Sequence, residues 1–368
     1  VTEVQTCALP ICEIRDEIDQ LDQQIQQLIS QRALLAQEVA ETKLATAEAG
    51  ASVAFYRPER EAQVLARVME RNQGPLGDEE MARLFREVMS ACLALEQPMR
   101  IAFLGPAGTF TQAAALKQFG HSVNTLPMAS IPAVFHDVES DHAHYGVVPV
   151  ENSTEGVISH TLDMFINSPL RINGEVELRI HHYLMSQGTD LSQVKRIYSH
   201  QQSLAQCRDW LDEHLEGVDQ ITVSSNAEAA RIALKEPGAA AIAGEVASEI
   251  YKLNVLARNI EDEPDNTTRF LVVGKQSPAP SGHDKTSLLV STHNRPGALY
   301  ELLSPFSDNG VSMSRIESRP SRRGNWDYLF FVDIDGHAED DNVKHALKTL
   351  ESGATMFRVL GSYPKAIL

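Results

Sequence analysis

The chain has 368 residues, enough for two or three domains, and its 43% hydrophobic content is that of ordinary globular proteins. A formal net charge of −18 offers no broad basic face to a phosphate backbone, which argues against nucleic acid as a partner. No apolar run reaches the ~18 residues of a membrane span. The four cysteines, Cys7, Cys12, Cys92 and Cys207, have neither paired spacing nor a nearby histidine pattern. They suggest no zinc site, and such sparse cysteine fits the reducing cytoplasm.

The chain opens on Val1 without a methionine, and residues 1–12 share no pattern with the helical stretch beyond them; Pro10 separates the two. These residues read as an atypical, possibly foreign leader. From Glu13 to about Ala49 the spacing predicts one long helix. Ile14, Ile18, Leu21, Ile25, Leu28, Leu35 and Val39 recur at steps of four and three, and the missing slot holds Arg32. A guanidinium in a buried seam needs an anion. It waits for an anionic small molecule inside a helical bundle, or it snorkels to solvent or meets a carboxylate of another helix. Lys43, eleven residues on, returns to within about 20° of the same face some 16 Å along the axis. Arg15, seventeen residues before Arg32, points roughly 100° away, toward the pocket of a partner copy.

Pro58 starts a second helical pattern with Val64, Leu65, Val68 and Met69. The turn Gly74–Asp78 leads into a third, with Met81, Leu84, Phe85, Val88, Met89, Cys92 and Leu95, which ends before Pro98. Two short helices cannot cover a seam of over ~50 Å, so two chains are expected to dimerise along it.

After Pro98 short apolar strands alternate with helices: Ile101–Leu104, Gly146–Val150, Arg196–Ser199, Ala239–Ala243 and Arg269–Val273. The pattern predicts an α/β unit with a largely parallel sheet. A linker at 276–284 precedes strand Ser287–Thr292, helix Gly297–Asn309, strands Ser312–Glu317 and Tyr328–Asp333, helix Asp341–Leu350 and strand Phe357–Gly361. This is a βαββαβ module of ferredoxin-like α+β type, with Arg322–Asn325 as a hairpin turn.

Each of the three parts resembles a known family. Ile14-Arg15-Asp16-Glu17-Ile18-Asp19, then Arg32, Lys43 and Tyr56-Arg57-Pro58-Glu59-Arg60-Glu61, resemble the all-helical class of chorismate mutase over residues 13–97. The resemblance implies a three-helix chain in an intertwined dimer. Arg15 of one copy, with Arg32 and Arg57 of the other, would hold the two carboxylates of chorismate. Lys43 and Glu96 would meet the ether oxygen, Glu61 the substrate hydroxyl, and Arg60 would join the binding set. The chemistry suits these residues. A Claisen rearrangement needs no nucleophile, only a dianion held in a reactive chair and positive charge or a proton at the departing oxygen. Some members carry glutamine at the Glu96 position. Glutamate must be protonated to donate there, so its pKa must be raised.

The stretches Gly105–Phe110, Val148–Ser153, Ser199–Ser203 and Asn266–Phe270 together resemble prephenate dehydratase over residues 100–275. The family's histidine loop more often has proline where Gln201 stands. The resemblance implies two α/β subdomains with the site in the cleft between them. Prephenate there loses carbon dioxide and water to give phenylpyruvate. Thr268 is the expected proton donor to the departing hydroxide. Thr109, Asn152, Ser153, Ser199, His200, Gln202, Arg269 and Phe270 are expected to bind substrate. Residues 285–364 resemble the amino-acid-binding ACT domain, through Asn294-Arg295-Pro296-Gly297-Ala298-Leu299 and Glu317-Ser318-Arg319-Pro320. That implies a phenylalanine site between paired copies, formed by Asn294, Gly297, Ala298, Leu299, Glu317, Ser318, Arg319 and Pro320.

The combined expectation is a cytoplasmic bifunctional enzyme, a homodimer or higher oligomer, inhibited by phenylalanine and without cofactor or metal. Three alternatives stay open: a dehydratase whose helices only dimerise it, a dehydratase acting on arogenate rather than prephenate, and a ligand sensor that binds without reacting.

Overall fold

The computed structural model describes residues 9–46, 55–154, 156–293, 295–320 and 328–367. Three helices come first: α1 (Leu9–Thr46), α2 (Pro58–Arg71) and α3 (Asp78–Glu96). Helix α1 starts earlier than its apolar pattern predicts and takes Pro10 into its first turn, where a missing N–H costs nothing. Most of the suspected leader, and the segment between α1 and Phe55, lie outside the described residues. Helix α1 packs on α3, and α3 on α2. The seven seam residues are accordingly between 50% and 63% exposed in the single chain.

The α/β part runs β1 (Arg100–Leu104), α4 (Phe110–Phe119), β2 (Asn124–Met128), α5 (Ile131–Glu139), β3 (Tyr145–Asn152), β4 (Gly156–Val157), α6 (Ser159–Asn167) and β5 (Arg171–Arg179). It continues with β6 (Tyr183–Ser186), β7 (Arg196–Ser199), α7 (Gln201–Gln206), α8 (Arg208–His214), β8 (Asp219–Thr222), α9 (Asn226–Ala233), β9 (Ala239–Ala243), α10 (Glu245–Tyr251), β10 (Asn254–Ala257) and β11 (Thr267–Gly274). These strands form two sheets, ordered β2-β1-β3-β11-β5 (with β4 on β3) and β10-β6-β9-β7-β8.

The expectation of a largely parallel arrangement is corrected. Strand β11 runs antiparallel to both β3 and β5, and β6 is antiparallel to both β9 and β10. The reason is topological. The chain leaves the first sheet after β5 and returns only at β11, so its two crossovers reverse the direction that a simple βαβ series would keep. The crossovers lie side by side: His182 N–H donates to Glu261 at 2.8 Å, Ile260 N–H to the His182 carbonyl at 3.0 Å, and Ile180 N–H to the Asn266 carbonyl at 2.8 Å.

The C-terminal module comprises β12 (Asp284–Ser291), α11 (Ala298–Asp308), β13 (Met313–Pro320), β14 (Tyr328–Asp335), α12 (Asp341–Gly353) and β15 (Met356–Pro364). Its antiparallel order β13-β14-β12-β15 is the ferredoxin-like one. The predicted hairpin turn lies outside the described residues. Leu289, Leu329, Phe331, Leu360 and Tyr363 of this sheet share one core with Ile172, Val148 and Leu271 of the first α/β sheet. The two sheets therefore pack face to face. The helical segment is docked as well: Tyr56, just before α2, is buried against Phe119 and Tyr145, and accepts a hydrogen bond from Gln118 at 3.1 Å.

Candidate active sites

The crossovers leave a cleft of about 340 Å³ between the two α/β sheets. Its floor is Thr268, Phe270, Pro149 and Asn152 of the first sheet; its far wall is His200, Gln202 and Ser203 of α7 and its cap, with Asn226 of α9, beside the second sheet. Thr268 and Asn152 are buried register partners on β11 and β3. The Asn152 side-chain amide donates to the Thr268 hydroxyl and to the Asn266 side-chain oxygen, each at 2.8 Å, while its own oxygen accepts from Thr154 N–H at 3.0 Å. Because Thr268 Oγ1 accepts from Asn152, its hydroxyl proton is left to donate elsewhere.

Among the described residues that line the cleft there is no lysine or arginine. Positive potential comes instead from backbone: residues at the starts of α4, α7, α9 and α10 all line the cleft. The positive ends of the helix dipoles there favour an anion. Thr109 sits at the α4 start, its hydroxyl on the Leu104 carbonyl at 3.1 Å.

Three expected substrate residues lie elsewhere. Arg269 is turned away from the cleft by strand alternation, since Thr268 and Phe270 face it. Its guanidinium is spent on Glu175 of β5 and, across the interface with the C-terminal module, on Asp333 and Tyr363. Ser199 is fully buried, donating to the Ile242 carbonyl at 2.8 Å and to Asn226 at 3.0 Å. Ser153 accepts from Thr267 N–H at 3.0 Å and fastens β3 to β11. His200 and Gln202 do line the cleft, and His200 caps α7.

Four residues outside the expected substrate set also line the cleft. Asn266 is two residues before Thr268 on the same face, a spacing the sequence offered. Asn226 accepts from His200 N–H at 3.1 Å and shapes the histidine loop. His182 and Gln206 meet at 2.9 Å in the cleft wall. Burial pushes the His182 imidazole down, favouring its neutral form. Only the crossover brings these two together, so no local signal marked them.

In the helical segment, Arg32, Lys43 and Glu96 are half-buried and share one neighbourhood. Burial pushes the Glu96 carboxyl up, against the pull of Lys43 and Arg32. Lys43 Nζ donates to the Phe55 carbonyl at 3.4 Å. Arg15 is exposed on α1, some 25 Å along the helix from Arg32. Arg57 pairs with Glu59 at 2.7 Å, and Arg60 is exposed. Glu61 departs from expectation. Its carboxylate pairs with Arg86 at 3.2 Å, and Arg86 also donates to the Lys117 carbonyl at 2.8 Å, so Glu61 faces the α/β part.

In the C-terminal module, Gly297 has φ +82° and begins α11, followed by buried Ala298 and exposed Leu299. A left-handed residue there favours glycine. Asn294 lies outside the described residues. On β13, Glu317 and Arg319 are half-buried, whereas Ser318 and Pro320 are exposed. Arg319 is committed to Asp163 of α6 at 3.0 Å.

Family models match in the same order as these three parts: Chorismate mutase type II over residues 14–97, Prephenate dehydratase over 101–278 and ACT domain over 286–352. A bifunctional chorismate mutase/prephenate dehydratase of Stutzerimonas stutzeri is 56% identical over 96% of this chain and 98% of its own. A prephenate dehydratase of Arthrobacter aurescens, solved in complex with L-Phe, superposes with a TM-score of 0.67 at 39% identity, covering 73% of this chain and 90% of its own. A solved chain described as a novel type of quorum quenching acylase superposes comparably, with a TM-score of 0.68 at 30% identity, over 73% of this chain and 98% of its own. Fold alone therefore does not fix the chemistry. The near-full-length identity and the three matched segments do fix the family: this chain belongs to the bifunctional chorismate mutase/prephenate dehydratases.

Proposed function

We propose an assignment of the chain's two reactions, chorismate to prephenate and prephenate to phenylpyruvate, to its residues. Residues 13–97 catalyse the rearrangement. Arg32, Arg57 and Arg60, with Arg15 of a second copy, hold the dianion, while Lys43 and protonated Glu96 stabilise the ether oxygen as it gains charge. Residues 100–275 catalyse the elimination. The substrate's carboxylates meet the helix N-termini of the cleft. Thr268, its oxygen held by Asn152, passes its proton to the departing hydroxyl as the ring carboxylate leaves as carbon dioxide. The proton returns through the surrounding polar network. Phe270 and Pro149 support the ring. Prephenate rather than arogenate is the substrate, because the fused helical segment supplies it.

Residues 285–364 bind phenylalanine between paired copies. The start of α11 at Gly297, Ala298 and Leu299, with Asn294, and the β13 stretch Glu317, Ser318 and Pro320 form the pocket; Arg319 holds that strand against α6. The exposed α1 seam is covered by the second copy, and the enzyme works in the cytoplasm. No described helix is long and apolar enough to cross a membrane.

The observation that carries this reading is the buried Thr268–Asn152 hydrogen bond on the cleft floor. The test is phenylpyruvate formation from chorismate by the purified chain, with and without phenylalanine. Product that phenylalanine suppresses is the expected result. Product from prephenate but not from chorismate would remove the mutase assignment. No product from either would leave a ligand-binding protein.

A further inference from the structure

The reverse face of the two catalytic strands carries a second matched pair. Register sets Thr268 opposite Asn152 and, one step along, Arg269 opposite Glu151. The first pair lines the cleft, and the second faces the C-terminal module. Arg269 Nη1 donates to Asp333 at 2.7 Å, and Arg315 Nε donates to Glu151 at 2.9 Å. Asp333 and Arg315 are themselves register partners, on β14 and β13. A register pair of one sheet is thus ion-paired, member for member, with a register pair of the other.

The surroundings make this arrangement rigid on one side and loose on the other. Ser287 donates to the second Asp333 oxygen at 2.6 Å, and Glu175 accepts from both Arg269 and Lys285. Arg315, by contrast, keeps a buried Nη2 without a hydrogen-bond partner. Adhesion is a poor account of these pairs, in which Arg269, Asp333 and Arg315 are largely buried and Glu151 is partly exposed. The two sheets already share an apolar core, and apolar replacements of buried ion pairs are often neutral or stabilising. What such pairs supply is a fixed relative position. They stand directly behind the hydroxyl and amide whose mutual geometry the elimination needs. Arg315 is also two residues from Glu317, in the stretch assigned to the phenylalanine pocket.

We propose that the Arg269–Asp333 and Glu151–Arg315 pairs hold Thr268 and Asn152 in reactive register. Asp333 and Arg315 are then positioning residues for the dehydratase, and movement of β13 reaches the cleft through them. This inference rests on reading Thr268 and Asn152 as the catalytic pair.

The test uses the full chain with Asp333→Asn, Asp333→Glu, Arg315→Gln and, alongside, Thr268→Ala. Circular dichroism and the thermal unfolding midpoint report whether each variant is folded. Asp333→Asn and Arg315→Gln are expected to lower kcat for prephenate by about tenfold or more, with KM within about twofold. Asp333→Glu should recover part of the loss, and phenylalanine should inhibit the Arg315→Gln enzyme less. Should Asp333→Asn fail to fold, Arg315→Gln on the edge strand decides. Unchanged kcat and inhibition in a folded Arg315→Gln enzyme, while Thr268→Ala is inactive, overturns the inference alone. So does a loss confined to KM. An active Thr268→Ala enzyme overturns the underlying reading of the catalytic pair instead.

Discussion

Glu96 shows how much a single environment decides. Its carboxyl lies beside Lys43 and Arg32, which alone would keep it ionised, yet burial outweighs them and raises its pKa. The protonated form is the one that donates to an ether oxygen. It persists to higher pH than in an ordinary glutamate and is lost as pH rises through the raised value. Mutase kcat is therefore expected to fall with rising pH, by up to about tenfold per unit beyond that point. In Glu96→Gln the same profile should be flat, because an amide always carries its N–H. A wild-type rate that does not change with pH would remove Glu96 as donor. Glu96, Thr268 and Asn152 are legible only through the family motifs around them, because a lone threonine at a strand start reads equally well as a cap on a backbone amide. Arg269 misleads for a different reason: a cation near an anionic substrate is chemically apt, but strand alternation turns it to the other face. The same alternation, applied one step further, points to Asn266.

At the scale of elements, apolar runs make the buried strands legible and polar edges hide the rest. Strand β2 reads Asn-Thr-Leu-Pro-Met and β8 reads Asp-Gln-Ile-Thr; both are edge strands with little apolar signal. What no local pattern could reveal is that β15 lies against β5. There Gly361 is pressed so close to the Ile172 backbone that a Cβ would collide with the Ile172 carbonyl. Backbone, unlike a side-chain tip, cannot give way cheaply. Gly361→Ala should cost about 3 kcal/mol of stability, the upper part of the range for overpacking. The denaturant midpoint should fall with little change in slope. A midpoint equal to that of the parent protein would mean that the two sheets separate more easily than their shared core implies.

At the scale of the whole molecule, the open question is where Arg15 acts. It shares a helix with Arg32, and no side chain spans the ~25 Å between them, so both can serve one dianion only if they come from different copies. The seven exposed seam residues offer an apolar surface along which such copies would meet. In a two-fold dimer each site would then take Arg15 from one chain and Arg32 from the other. Arg15→Ala and Arg32→Ala should each be nearly inactive as mutases when purified alone. Co-expressed, they form mixed dimers in which one site lacks both arginines and the other keeps both. With random pairing half of the dimers are mixed, so mutase activity should return to about a quarter of the parent value. Dehydratase activity, housed within each chain, should stay at the parent level throughout. If the co-expressed pair remains as inactive as its parts, Arg15 does not reach across, and the seam serves assembly without completing the site.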